Sequence, residues 1–108
     1  MTAYEILETR FRRIAALREA AGVLRWDMST LMPDGGAGAR GEQLAVLDVL
    51  SHELITAPQV EQELGLAEEH ELGPWQRANL REMRRHWAHA AAVPAELVEA
   101  LSKAANRC

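Results

Sequence analysis

The sequence predicts an all-α fold, an antiparallel arrangement of about four to five helices packed as hairpins or a bundle. Three observations predict it. Apolar residues recur at three- and four-residue steps through most of the 108 residues. The composition is rich in Ala, Leu, Glu and Arg but holds only three Trp, one Tyr and one Phe, which favours helix over sheet. The four prolines fall between the periodic stretches rather than inside them.

The first helix is expected from about Ala3 to about Ser29, with Tyr4, Leu7, Phe11, Ile14, Leu17, Ala21, Leu24 and Met28 on one stripe. Gly22 is a mild weakness in its middle, tolerated or serving the close approach of another helix. A second helix is expected over Ala37–Ile55, with Leu44, Val46, Leu47, Leu50, Leu54 and Ile55 forming a face wide enough for two neighbours. The connection is short, so the two should pack as an antiparallel hairpin. Thr56 is expected to cap a short third helix that has Pro58 in its first turn, Val60, Leu64 and Leu66 as its apolar residues, and its end by about Glu69. Pro74 opens a fourth helix to about Ala91, with Trp75, Ala78, Leu80, Met83, Trp87 and Ala90 on its buried side. Pro94 begins a fifth, with Leu97, Val98 and Leu101 inward.

The corner between the first two helices asks for more explanation than a turn does. Pro33 ends the first helix, Asp34 bonds local backbone, and Gly35 and Gly36 reverse the chain at little conformational cost. None of this requires Trp26, Asp27, Thr30, Arg40 or Gln43. Two readings fit those residue types. In one they form a buried polar latch with Trp26 as its apolar lid. In the other Trp26 is ordinary core, Asp27 caps or pairs locally, and Arg40 is solvated.

The pattern Leu24-x-Trp26-Asp27-x-x-Thr30-x-Met32-Pro33-x-Gly35-Gly36-x-x-x-Arg40-x-x-Gln43-Leu44 resembles the N-terminal signature of the carboxypeptidase Taq family of thermostable metallocarboxypeptidases. Arg77 to Arg85 and Val93 to Ala100 resemble that family in the same order and at similar spacing, so the likeness runs along nearly the whole chain. It implies that residues 1–108 are a single helical segment, the N-terminal part of a larger all-α enzyme that removes C-terminal residues from peptides. It also implies that the parent works with a divalent metal of zinc or cobalt type and a metal-activated water, both held by residues outside this segment. Gly38 and Gly41 depart from the pattern in the first turns of the second helix, where fraying is expected. Fast amide exchange across residues 37–41 is the expected result, and strong protection would rule fraying out.

No catalytic constellation stands in the chain itself. A zincin helix needs His-Glu-x-x-His, and after His52-Glu53 the second histidine is replaced by Thr56. His86 and His89 share a helix without an evident third ligand. Ser29, Ser51, Ser102 and Cys108 lie in no nucleophile context, and the Gly35–Gly38 run lacks the strand and lysine of a phosphate loop. Arg77, Arg81, Arg84 and Arg85 form a basic stripe, read first as a solvated or ion-paired face. In a parent enzyme, Arg77, Arg81 and Arg84 are also candidates to face a substrate carboxylate.

The net charge of −4 argues against nucleic-acid and anionic-membrane partners, and no apolar run is long enough to span a bilayer. The opening Met-Thr-Ala-Tyr-Glu lacks a signal-peptide pattern, and the single cysteine, Cys108, leaves a reducing cytoplasm as the expected compartment. The chain alone is therefore expected to be inactive and to hold no cofactor. Its expected partners are the remainder of the parent enzyme and further copies of itself, through exposed apolar helix faces. The alternative is a stand-alone, self-associating helical interaction module that kept the scaffold without the chemistry.

Overall fold

A computed structural model of the chain describes residues 1–30 and 37–105. Among the described residues the backbone forms five α-helices and no strand: α1 (Ala3–Thr30), α2 (Ala37–Ile55), α3 (Pro58–Glu68), α4 (Pro74–Ala91) and α5 (Ala95–Ala105). The all-α expectation holds, and every expected helix is present with its ends within about two residues of those read from the sequence.

α1 is the spine. Its 28 residues span about 42 Å, long enough to serve two separate packing sites. Near its start, Tyr4 and Leu7 join Val60, Leu64 and Ala67 of α3 and Leu80 and Met83 of α4 in the main core, with Phe11 and Trp87 packed against it. Toward its end, α1 packs on α2. Arg25 meets Asp48 and Asp27 meets Arg40, so the pairing runs antiparallel, as a short connection dictates. α5 then packs on α2. The product is an elongated body of 54 × 25 × 19 Å.

α3 has thin apolar content, yet it carries the centre of the core. Val60 and Leu64 have no exposed surface, and nor does Ala67, one residue beyond the expected Leu66, which faces solvent. Thr56 is not its cap. With Pro58 at the first helical position the cap falls on Ala57, while the Thr56 hydroxyl turns back to donate to the His52 carbonyl at 2.7 Å. Gly22 supports no close helix approach, because nothing lies within 4 Å of where a Cβ would stand.

Several expected core residues lie outside. Trp75 is 84% exposed because it stands in the first turn of α4, about 140° around the helix from the buried Leu80. On α5, Leu97 and Leu101 are exposed, and Val98 and Ser102 take the inner side. On α2, Leu44, Ala45, Ser51 and Ile55 face inward while Val46 and Leu50 are exposed. α2 packs against α1 and α5, and the part of its broad apolar face that carries Val46 and Leu50 has no neighbour among the described helices.

Polar contacts tie the helix ends together. His52 Nε2 lies 2.9 Å from the carbonyl oxygen of Ala90. A carbonyl only accepts, so Nε2 carries the hydrogen and gives a second donor to an end carbonyl of α4 that already accepts from the Val93 amide, leaving Nδ1 buried without a partner among the described residues. His52→Ala should cost about 1–2 kcal/mol, read as a lower urea midpoint with an unchanged m-value. At the other side of α2, Lys103 pairs with Glu99 at 3.1 Å and Glu42 at 3.4 Å. The Glu99 hydrogen bond and then Glu42 push the Lys103 ammonium above its ordinary 10.5. Their tethering of α5 is therefore intact at neutral pH and fades only as pH rises through that raised value.

Candidate functional site: the helical corner and the arginine stripe

The corner residues Asp27, Arg40 and Gln43 converge as a latch. Asp27 sits in the last turn of α1 and Arg40 in the first turns of α2. Arg40 donates from Nε to Asp27 Oδ2 at 2.8 Å and from a terminal guanidinium nitrogen to Gln43 Oε1 at 3.0 Å. The contact closes the hairpin where the chain reverses. Met32, Pro33 and Gly35 lie outside the described residues, as does the side chain of Thr30.

The latch differs from both sequence readings in one respect. Asp27 and Arg40 keep 26% and 33% of their side-chain surface, so the pair is half-buried, and Trp26 is 58% exposed, so it is not core. The apolar stripe of α1 explains this, since Leu24 and Met28 turn inward and leave Trp26 between them on the outer side. Asp27→Ala should cost about 0.5–1 kcal/mol, because half-exposed ion pairs are screened, and should raise amide exchange in the first turns of α2.

A second link stands beside the latch, and sequence reasoning missed it. Asp48 Oδ2 accepts from Arg25 at 2.8 Å and from the Ser102 hydroxyl at 2.6 Å, joining α1, α2 and α5 through one carboxylate. Ser102 is buried, so its hydroxyl is a core group with a fixed acceptor. A polar residue on the inner side of an amphipathic helix was the available signal.

The arginine stripe of α4 is engaged within the chain. Arg77 donates to the His70 carbonyl at 3.0 Å, which closes the loop before α4. Arg84 pairs with Glu68 and lies 5.8 Å from the centre of the Trp87 ring, a cation–π contact. Arg85 meets Glu82 at 2.7 Å, and its hydrogen bond holds the Glu82 carboxyl below the usual range. Arg81 is exposed. The carboxylate that Arg84 faces is thus one of the chain's own.

His86 and His89 face different clefts. His86 lines a cleft of about 530 Å³ between α1 and α4, whereas His89 and His52 line one of about 400 Å³ among α2, α4 and α5. Among the described residues no three His, Cys, Asp or Glu side chains converge as a metal site requires. No described helix is long and apolar enough to cross a membrane.

Fold and site together define a helical scaffold stapled beside its corner by the Asp27–Arg40 and Arg25–Asp48 ion pairs. Comparison with known proteins places this scaffold. The model of the carboxypeptidase Taq (M32) metallopeptidases matches residues 6–108, and the chain belongs to that family. Thermostable carboxypeptidase 1 of Pyrococcus furiosus is 35% identical over 98 residues, covering 87% of this chain and 19% of that protein. Thermostable carboxypeptidase 1 of Thermus thermophilus is 32% identical over 106 residues, covering 94% of this chain and 21% of that protein. The chain therefore spans about a fifth of the length of these curated relatives. No solved structure matches it significantly.

Proposed function

We propose that residues 1–108 form the N-terminal helical scaffold of a metal-dependent carboxypeptidase, one wall of a groove whose catalytic residues and divalent metal, of zinc or cobalt type, come from the rest of a family-length chain. The observation that carries this reading is the family match over residues 6–108 in a chain a fifth as long as its curated relatives. The corner latch supports it, because an Asp27–Arg40 staple holds a hairpin in one geometry, as a groove wall must be held. The parent works in the cytoplasm and releases C-terminal residues from peptides. Arg81, exposed on α4 and not engaged as Arg77 and Arg84 are, is the stripe residue proposed to meet a substrate carboxylate.

The test is a chimera in which this chain replaces the matching segment of the Pyrococcus furiosus thermostable carboxypeptidase. The chimera should release C-terminal amino acids from a peptide when supplied with zinc or cobalt, and the 108-residue chain alone should release none. A chimera that melts cooperatively yet stays inactive with either metal would overturn the reading. A second reading, the self-associating interaction module, draws on the exposed Val46, Leu50, Leu97 and Leu101. It requires a discrete symmetric oligomer of the chain alone.

A further inference from the structure

The unpartnered part of α2 has a specific chemistry. Val46, 54% exposed, and Leu50, 43% exposed, lie on one side of the helix with Val49 between them. Two shallow depressions share Glu42 and Val46 and so form one strip. At one end its floor is Leu24 of α1 with Leu47, and this end is almost wholly apolar. From Glu42 to Glu53 the strip is about 17 Å long, three turns of helix. Its rim is acidic. Glu42 and Glu53 of α2 and Glu99 of α5 border it; Lys103 is shared between Glu42 and Glu99, and at the Gln43 end the Arg40 guanidinium, paired with Asp27, bonds Gln43.

An apolar strip three turns long suits a helix, and its three carboxylates, with Lys103 between two of them and Arg40 already paired with Asp27, select that helix by charge. A second copy does not suit it, because a two-fold contact sets the same patch against itself and brings glutamates toward glutamates. We infer that the α2 strip between Glu42 and Glu53 docks an amphipathic helix carrying Lys or Arg beside its apolar stripe, supplied by the catalytic part of a family-length carboxypeptidase. The assignment of the source rests on the function proposed above. The chemistry of the docking does not.

Two labelled helical peptides with the same leucine stripe, one flanked by Lys and one by Glu, test the chemistry by anisotropy titration against the 108-residue chain. The Lys peptide should bind at least tenfold more tightly. The exposed-face variant V46S/L50S should weaken it at least tenfold with unchanged circular dichroism, and E42Q/E53Q/E99Q should abolish the preference. Equal binding of both peptides, binding of neither, or a dimer of the chain dispersed by V46S/L50S would each overturn the inference. The source is tested by placing V46E/L50E in the chimera. If the parent chimera is active, the double variant should lower its melting temperature and its activity, and an unchanged chimera would remove the assignment to the catalytic part. If the chimera itself is inactive, the function reading and the assigned source fall together, while the peptide titration still decides the docking chemistry.

Discussion

Replacing Leu64 with alanine should lower stability by about 3–4 kcal/mol and the melting temperature by about 15 °C. Leu64 has no exposed surface and stands in the cluster that joins α1, α3 and α4. Removing three of its carbons loses their transfer free energy and leaves a cavity that three rigid helices cannot fully close. A chain of this size has about 5–15 kcal/mol in total, so the variant should sit near the edge of folding at 37 °C. Leu66→Ala, two residues away, is the control. It removes an exposed side chain and should shift the midpoint by less than about 0.5 kcal/mol. Denaturant melts of the two variants side by side check the claim, and similar losses would mean that α3 does not carry the core.

Arg10→Met should cost about 2–3 kcal/mol. Arg10 donates to both oxygens of Glu63, at 3.0 Å and 2.8 Å, tying α1 to α3 in a fork that only a guanidinium provides. Glu63 keeps only 12% of its side-chain surface, so loss of the arginine strands a carboxylate that water barely reaches. The penalty comes from that stranded charge more than from the lost attraction. The double variant Arg10→Met/Glu63→Met should therefore recover at least half of the loss, since two apolar side chains of similar volume replace the pair. A double variant no better than the single would show that the pair itself, rather than the unpaired charge, accounts for the stability. Both measurements are chemical denaturation with m-values monitored.

The helix boundaries were legible because they depend on short-range chemistry. Pro58 and Pro74 each stand at the first position of their helices, as proline's fixed φ and missing donor require. The stripe of α1 was legible for the same kind of reason. Tyr4, Leu7, Ile14 and Ala21 are all buried, because a helix that long repeats its periodicity often enough to define one face. The short helices were less legible. In α3 and α5 a stripe has two or three members, and an error of one residue turns the face by about 100°. That error put Leu66 in place of Ala67 and Leu101 in place of Ser102.

The candidate site divides in the same way. Asp27, Arg40 and Gln43 could be singled out from residue types that a turn does not need, and the contacts among them are present. The Asp48–Ser102 and His52–Ala90 contacts join residues 54 and 38 positions apart, and no local pattern points from one partner to the other. The family was legible too, since its signature is a run of residue types along the chain. Membership does not depend on how that chain packs.

By itself, the sequence determined the five helices, their order, the antiparallel hairpin and the family, because propensity, proline placement and motif spacing are properties of neighbours along the chain. Only the tertiary structure decided which side of α2 is buried, that α3 holds the core, and that an acidic-rimmed apolar strip is left open. Those outcomes depend on which helix covers which face. A helix with apolar residues on two sides has two equivalent faces until its neighbours are placed, and α1, α4 and α5 together leave part of the second one uncovered.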